Sequence, residues 1–374
     1  MEKRKISKLN VETSLLGFGC MRFPQKDGKI EEVEATKMLK TAYENGVNYF
    51  DTAYVYHGGE SEIFTGKVLD EFPRESYYLA TKLPVWEVHK TEDVERLLDE
   101  QLKKLNKDYV DFYLLHALNG ERWDEMEKLQ VFEACEEMRK KGKIRFIGFS
   151  FHDDYEHFER IIRAKDWDFC QIQLNYMDTE IQAGIRGYEL AEELGIPLTI
   201  MEPIKGGNLA TLPEEIESIF KGKRQDTIAS WALRWVASFP NIMTVLSGMS
   251  NMEQTMDNIQ TFSNFEPMTE EEKELVKKVA ETIRSRVANG CTGCGYCMPC
   301  PAGVDIPKNF HIWNQYHMYM NLGGLGWMWN NEIGEEQKAH HCVQCGACEK
   351  VCPQKIKIRE DLQTLEKEIT ERLQ

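Results

Sequence analysis

Short apolar runs alternate with longer amphipathic segments from the start of the chain to about residue 262. Eight of these runs predict buried β-strands, at residues 14–19, 48–53, 77–82, 110–116, 145–150, 169–175, 198–203 and 243–248. Between them, apolar residues recur at three- and four-residue spacing, which predicts helices at 31–45, 91–105, 123–141, 155–164, 187–194, 227–238 and 251–261. This repeated order of strand and helix is typical of an α/β fold with a parallel sheet.

Two α/β architectures accommodate eight such units, a doubly wound open sheet and a closed barrel. No Gly-rich dinucleotide fingerprint follows any of the predicted strands. Eight units in this length therefore favour a (β/α)8 TIM barrel. Residues 3–12 alternate enough to predict a hairpin that closes the bottom of the barrel, and residues 269–287 predict a charged helix on its exterior.

The last part of the chain has a different character, because cysteines are concentrated there. Of the 11 cysteines in 374 residues, eight follow residue 290 in two tight groups. We therefore predict two domains, the barrel at 1–288 and a small, mostly helical, ferredoxin-like iron–sulfur domain at 289–374. Cys20, Cys135 and Cys170 stand apart in apolar surroundings, which is typical of cysteines that serve in packing.

Composition and charge exclude some classes of partner. Apolar residues make up 42% of the chain and charged residues 29%, as in an ordinary soluble globular protein, and the formal net charge is -16. An acidic protein is poorly suited to bind a phosphate backbone, so we expect no nucleic-acid partner. No segment is apolar for long enough to span a bilayer, and the basic N-terminus is not followed by an apolar stretch. We expect a cytoplasmic protein with no membrane partner.

The two cysteine groups have the spacing of metal ligands. They read Cys291-x2-Cys294-x2-Cys297-x2-Cys300-Pro301 and Cys342-x2-Cys345-x2-Cys348-x3-Cys352-Pro353. The second group has the ferredoxin spacing for a [4Fe-4S] cluster, whereas the last gap of the first group is one residue short. Paired C-x2-C units also suit zinc, which stays the structural alternative.

By analogy with two-cluster ferredoxins, we predict two [4Fe-4S] clusters with one ligand exchanged between the groups. The first cluster would be held by Cys291, Cys294, Cys297 and Cys352, and the second by Cys342, Cys345, Cys348 and Cys300. The intervening segment, 301–341, is rich in Trp, Tyr and Met. We expect a helix and loop that pack over the clusters or against the barrel, with an electron-relay or lid role left open.

Polar residues at the predicted strand ends form a coherent set, and barrel enzymes place their chemistry at these ends. A carboxylate is costly to bury alone, so Asp51 at the tip of an apolar strand requires a cation, and Lys82 on the next strand is the candidate. An ammonium beside the phenol of Tyr56 would lower the pKa of that phenol. The competing interpretation is an acid that caps the following helix, with tyrosines used in packing.

These positions resemble the aldo-keto reductase family. The matching motifs are Asp-Thr-Ala-x-x-Tyr at 51–56, Ala-Thr-Lys at 80–82, 111–116 ending in His116, and 142–150 ending in Ser150. The resemblance covers residues 3–285 and implies a barrel that binds NADPH or NADH and reduces a carbonyl by hydride transfer. It implies that Tyr56 is the general acid, that Lys82, paired with Asp51, lowers the pKa of Tyr56, and that His116 orients the carbonyl.

The resemblance also implies positions for the nicotinamide cofactor. Ser150 and Gln171 match residues that hold the carboxamide, and Met201 lies where many members place an aromatic residue. A loop like the family's pyrophosphate loop contains Gly206 and Gly207. The positions that resemble the adenosine-phosphate site are Ser247, Gly248, Ser250, Gln254 and Asn258.

Two of these positions depart from the family pattern. Phe151 stands where the family usually has Asn, which removes one amide contact. Gln254 stands where an arginine that fixes the 2'-phosphate is frequent, so the choice between NADPH and NADH stays open. A subfamily with a C-terminal ferredoxin-type domain, mostly from anaerobes, resembles the whole chain.

The two halves move electrons in different numbers, since a hydride carries two and an iron–sulfur cluster exchanges one. No flavin motif is visible to convert between them. The first hypothesis is a nicotinamide-dependent carbonyl reductase whose clusters are structural, regulatory or served by a ferredoxin or another electron carrier. The second is a redox-sensing or electron-transfer protein whose barrel binds nucleotide without turnover. The third is a cluster-driven reductase that uses no nicotinamide.

Overall fold

The computed structural model describes residues 1–223 and 227–374. These residues divide into two compact units, Met1–Gly206 with Ala229–Lys273, and Gly207–Ile228 with Glu274–Gln374. The domain boundary at residue 288 stays a prediction, because the compact units are a geometric division of the same chain.

Eight parallel strands close into a barrel in the first unit. The strands of the chain are β1 (Lys3–Ile6), β2 (Val11–Ser14), β3 (Leu16–Gly19), β4 (Gln25–Lys26), β5 (Lys29–Ile30), β6 (Tyr49–Asp51), β7 (Tyr78–Leu83), β8 (Val110–Leu118), β9 (Ile144–Phe151), β10 (Phe169–Gln173), β11 (Leu198–Met201) and β12 (Ile242–Ser247). The order around the barrel is β10–β11–β12–β3–β6–β7–β8–β9. The predicted (β/α)8 barrel is confirmed, and the alternative of an open sheet is wrong.

Helices follow most of the strands. They are α1 (Glu32–Glu44), α2 (Glu60–Leu69), α3 (Asp93–Leu105), α4 (Gly120–Lys128), α5 (Val131–Lys140), α6 (Tyr155–Ala164), α7 (Gly184–Glu193), α8 (Glu214–Glu217), α9 (Ile228–Ala237), α10 (Met252–Ser263), α11 (Glu270–Arg284), α12 (Ile306–Tyr319), α13 (Leu322–Asn331), α14 (Ala347–Val351) and α15 (Ile358–Leu373). The single helix predicted at 123–141 is wrong: Gln130 has a φ of 53° and separates α4 from α5.

The interior of the barrel is filled by apolar side chains, most of them large. They come from five of its strands and are Tyr49, Ala80, Phe112, Leu114, Phe169, Met243 and Leu246. Leu9 and Val11, from the hairpin of β1 and β2, belong to the same buried group. The hairpin therefore packs against the barrel core, in agreement with the prediction.

The second unit has a helical core of its own, as the sequence predicted. Its buried residues include Trp313, Tyr316, Leu325, Trp329 and Leu365, from α12, α13 and α15. Six of the clustered cysteines pack against this core, namely Cys291, Cys297, Cys300, Cys342, Cys348 and Cys352. The aromatic residues of α12 and α13 therefore serve chiefly as the core that supports the cysteine loops.

None of the helices in the described ranges combines the length and the apolar character needed to cross a bilayer. The cytoplasmic location stays a prediction.

Candidate functional site

Lys82 lies at the centre of the candidate site, where β6 and β7 end side by side. Asp51 is paired in register with Ala80, which brings the side chain of Lys82 to the acid. The ammonium Nζ of Lys82 donates to Asp51 Oδ1 at 2.6 Å, to the carbonyl oxygen of Thr52 at 2.8 Å and to the hydroxyl of Tyr56 at 3.3 Å. The side chain is fully buried. Three acceptors thus satisfy the three protons of a buried ammonium.

The turn after β6 aims Tyr56 back at Lys82. Tyr56 opens a short 3-10 turn, Tyr56–Gly59, and the next three residues all have positive φ, 52° at His57, 64° at Gly58 and 93° at Gly59. Successive left-handed residues reverse the chain within a few positions, and glycine accepts this conformation without a steric penalty. The chain then enters α2 with the phenol of Tyr56 left at the strand ends.

The pKa of Tyr56 is set by the predicted lowering effect of Lys82 and by a larger, opposite effect of burial that the sequence analysis did not include. Burial raises the pKa of the Tyr56 phenol above its ordinary value, and the ammonium of Lys82 offsets only part of that rise. Burial alone would lower the pKa of Lys82, but the Asp51 carboxylate and Tyr56 raise it above its ordinary value. Lys82 is therefore charged and Tyr56 is a neutral phenol, which can donate a proton but does not lose one to water at neutral pH.

His116 completes the group on the barrel strand β8. Its ring lies edge-on to the ring of Tyr56, with 6.1 Å between centroids. Burial, together with the nearby charges of Lys82, His152 and Arg122, lowers the pKa of His116 to about 2. The imidazole is therefore neutral, and its buried Nδ1 has no hydrogen-bond partner among the described residues. The four residues predicted to be catalytic, Asp51, Tyr56, Lys82 and His116, thus lie together.

The residues predicted to hold a carboxamide lie on adjacent strands. Gln171 is paired in register with Ser150 on one side and with Thr199 on the other. The amide of Gln171 has only long contacts, 3.5 Å from Nε2 to Met201 Sδ and 3.5 Å from Thr199 Oγ1 to Oε1. The hydroxyl of Ser150 accepts the backbone N–H of Ala117 at 2.7 Å. A buried amide with weak partners fits the role of a ligand for a carboxamide.

The predicted adenosine-phosphate positions lie where β12 passes into α10. Asn258 Nδ2 donates to Ser247 Oγ at 2.8 Å, and the backbone N–H of Ser250 donates to Gln254 Oε1 at 2.8 Å. Gly248 passes close to Arg22, since a Cβ at Gly248 would lie 2.6 Å from Arg22 Cγ. Arg22 was not predicted, although its place three residues after the end of β3 is a signal that could have identified it. It supplies a cation beside this loop, where Gln254 replaces the expected arginine.

The two glycines of the predicted pyrophosphate loop both have positive φ. The φ angle is 62° at Gly206 and 101° at Gly207. Gly206 is assigned to the first compact unit and Gly207 to the second. A Cβ at Gly207 would meet no atom within 4 Å. Both residues have the backbone conformation that favours glycine.

A cavity in the second unit brings together cysteines from both motifs. Its lining includes the four residues predicted for the first iron–sulfur cluster, Cys291, Cys294, Cys297 and Cys352, with apolar walls from Ile306, Phe310 and Ile356. The space amounts to about 330 Å³, part of it open to solvent. Cys300, Cys342, Cys345 and Cys348, the predicted ligands of the second cluster, lie outside this lining.

The spacing of the cysteine sulfurs fits an iron–sulfur cluster better than zinc. A zinc ion bound tetrahedrally at 2.3 Å would hold its sulfurs about 3.8 Å apart. Among the described residues, which include every cysteine, no three cysteine sulfurs lie within 4.8 Å of one another. Four cysteines line one cavity, which is the number of thiolates that a [4Fe-4S] cluster requires, so the cavity fits that group.

Comparison with known proteins agrees with this geometry. Residues 15–281 match the Aldo/keto reductase family. The chain belongs to this family, and it is therefore an oxidoreductase. Residues 290–356 match a 4Fe-4S dicluster domain, so the chain joins an aldo-keto reductase barrel to an iron–sulfur domain.

Matches to known proteins cover about three quarters of this chain and nearly the whole length of the other protein. L-galactose dehydrogenase of Arabidopsis thaliana is 25% identical over 312 residues, which cover 76% of this chain and 96% of the relative. The NADH-specific methylglyoxal reductase of Escherichia coli is 22% identical, and the match covers 76% of this chain and 99% of the relative. A holo-form aldo-keto reductase of Bacillus halodurans has 25% identity and a TM-score of 0.64, with 75% of this chain and 96% of that chain covered.

Proposed function

We propose that this protein reduces an aldehyde or ketone, with NADPH or NADH as the source of hydride. The observation that carries the proposal is the fully buried Lys82 ammonium, which donates to both Asp51 and the phenol of Tyr56. Relatives such as the methylglyoxal reductase of E. coli support carbonyl reduction as the reaction class.

The side chains at the strand ends have the properties that this reaction requires. When bound, a nicotinamide would supply the hydride to the carbonyl carbon, and Ser150 and Gln171 would hold its carboxamide. The carbonyl oxygen gains negative charge as the carbon is reduced, so hydrogen-bond donors must be aimed at that oxygen. The neutral phenol of Tyr56 donates a proton to the oxygen, and the neutral imidazole of His116 donates a hydrogen bond to it.

The Lys82–Asp51 pair stabilises the phenolate that proton transfer leaves behind. The Lys82 ammonium lies 3.3 Å from the Tyr56 oxygen, and Asp51 at 2.6 Å holds the ammonium in place. A buried positive charge next to a new negative charge is a favourable arrangement in a medium of low dielectric. Water then returns a proton to the phenolate after the product leaves.

For the second unit we propose two [4Fe-4S] clusters with the exchanged ligand sets predicted above. The cavity that collects Cys352 with Cys291, Cys294 and Cys297 supports the first set. We propose that the clusters stabilise this unit or exchange single electrons with an external carrier, because the described chemistry of the barrel needs no one-electron step.

Anaerobically purified protein with its iron and sulfide measured tests the proposal. We expect oxidation of NADPH or NADH at 340 nm with a panel of aldehydes and ketones. Tyr56→Phe should lower kcat by about 10²- to 10⁴-fold, the usual contribution of a placed acid, while the affinity for the coenzyme changes little. Tyr43→Phe is the matched control, because the Tyr43 hydroxyl bonds Ser76 on the outside of the barrel.

Three results would contradict the proposal. The first is no turnover of any carbonyl with either coenzyme by cluster-loaded protein, and the second is full activity in Tyr56→Phe. The third is carbonyl reduction by a one-electron donor without nicotinamide, which would favour the cluster-driven alternative.

A further inference from the structure

An arginine lies beside the candidate catalytic residues without a carboxylate partner. Arg122 is in the first turn of α4, which directly follows β8 and His116. Its guanidinium carbon lies 5.4 Å from the ring centre of Trp86, and the Trp86 ring lies 5.3 Å from the ring of His116. Tyr56, His116, Trp86 and Arg122 thus form a continuous row of neighbours that leads away from the proton donor.

Most hydrogen-bond donors of Arg122 are free. Within the described ranges, its side chain donates one hydrogen bond, from Nη1 to the carbonyl oxygen of Ala117 at 2.7 Å, although a guanidinium has five N–H groups. No described acid lies within 4.0 Å of it, whereas other arginines of the barrel are paired with acids, namely Arg74, Arg96, Arg139, Arg145, Arg160, Arg163 and Arg234. Arg4, which donates to backbone carbonyls, and Arg22 likewise have no described acid within 4.0 Å, but it is Arg122 that contacts the neighbour of His116, Trp86.

The charge of Arg122 acts on the rings around the site. Burial is the main cause of the lowered pKa values of His116 and of His152, which follows β9. The charge of Arg122 lowers both pKa values further. Glu202 acts on His152 in the opposite direction but forms no ion pair with Arg122. The field of Arg122 therefore reaches the space next to His116.

We propose that Arg122 binds a carboxylate of the substrate, so that the substrates are aldehydes or ketones that carry an acid group. This inference rests on the proposed function. The planar fork of a guanidinium matches the two oxygens of a carboxylate, and the face of Trp86 supplies an apolar wall for the carbons between the carbonyl and the acid. The carbonyl would lie at Tyr56 and His116, and the carboxylate at the other end of the row.

A competing role for Arg122 is structural. Its hydrogen bond to Ala117 holds the residue directly after His116, and Ala117 has a φ of 53°, a conformation that is costly for a residue with a side chain. If Arg122 only positioned His116, its loss would slow the reduction of every carbonyl to the same extent. A carboxylate ligand would instead change the preference between acidic and neutral substrates.

Pairs of substrates that differ by one carboxylate separate the two roles. We would measure kcat and KM for 4-carboxybenzaldehyde against benzaldehyde, and for succinic semialdehyde against butanal. In Arg122→Gln, the preference for the acid in kcat/KM should fall about tenfold or more, mainly through KM, because a charge-assisted hydrogen bond is lost. Arg122→Lys should keep part of the preference. Arg163→Gln, on the outer helix α6, is the matched control and should keep all of it.

The other outcomes overturn the inference. Equal losses on both members of each pair assign a positioning role to Arg122. If the wild-type protein does not prefer the acid over the neutral compound, Arg122 does not bind a substrate carboxylate. Turnover of neutral aldehydes alone overturns only this inference, whereas the absence of turnover with all four compounds overturns the proposed function as well.

Discussion

At the scale of single residues, the candidate site combines one charged pair with two neutral hydrogen-bond donors. Lys82 keeps its charge because Asp51 lies 2.6 Å away, and burial keeps both Tyr56 and His116 neutral. A buried ammonium without a carboxylate would cost several kcal/mol, so the pair is a condition for placing a charge here at all. The proton available for a carbonyl oxygen is therefore the one on Tyr56.

The charge state of Tyr56 predicts the pH dependence of the reaction. Reduction requires the protonated phenol, and burial raises its pKa above the ordinary value of about 10. The kcat for reduction of a neutral aldehyde should therefore be flat from about pH 6 to 9 and fall only at higher pH. His116, with a pKa of about 2, adds no decline in this range. Steady-state rates at saturating coenzyme measure the profile.

Two results decide this prediction. The residual activity of Tyr56→Phe should show no alkaline decline of its own, because the titrating group is gone. A kcat that instead falls with a midpoint near pH 7 would show that the effect of Lys82 on the pKa of Tyr56 outweighs the effect of burial.

At the scale of helices and strands, the sequence predicted correctly the elements that are buried along their whole length. Barrel strands are buried on both faces, so they appear as continuous apolar runs, and all eight were predicted. Helix α2 was missed because buried polar residues, Ser61, Glu62 and Thr65, interrupt its apolar pattern. Glu62 accepts hydrogen bonds from Thr81 and Gln101, both at 2.7 Å, a long-range network that local spacing does not encode.

Asp111 links three neighbouring barrel strands and predicts a stability effect. It is fully buried in β8 and accepts from Arg74 at 2.7 Å, from Arg145 on β9 at 2.7 Å and from the N–H of Leu79 on β7 at 2.9 Å. Asp111→Ala should lower the free energy of unfolding by roughly 2–4 kcal/mol. This is less than the loss for a fully buried pair, because Arg145 is 45% exposed.

Urea unfolding followed by circular dichroism measures this change. Asp99→Ala is the control, since Asp99 is 52% exposed and pairs with Lys143 on the surface. Its loss should cost less than about 1 kcal/mol. Equal midpoints for the two variants would mean that Asp111 does not hold the strands together.

At the scale of the whole molecule, the chain joins an aldo-keto reductase barrel to a 4Fe-4S dicluster domain. The cysteine spacing predicted the ligands of the second unit, but spacing alone does not say which cysteines share a cluster. Which cysteines share a cluster depends on how the fold brings the two motifs together. Cys352, from the second motif, lines the same cavity as the first three cysteines of the first motif. The missing residue in the last gap of the first motif is consistent with Cys300 serving elsewhere.

Pairs of cysteine substitutions test the ligand sets through the iron content. The wild-type protein should hold about eight iron atoms per chain as two [4Fe-4S] clusters. Cys291→Ala and Cys352→Ala should each remove about four, and the double variant should remove no more than either alone, because both residues ligate one cluster. Cys291→Ala combined with Cys345→Ala should remove nearly all the iron, since it damages both clusters.

Iron and sulfide analysis, with electron paramagnetic resonance of the reduced protein, distinguishes the cases. Cys135→Ala is the control, because Cys135 is buried on the barrel helix α5 and burial raises the pKa of its thiol to about 12. A double variant of Cys291 and Cys352 that loses all iron would separate these two cysteines into different clusters. The motifs would then each hold their own cluster, and the cavity would not be the site of the first one.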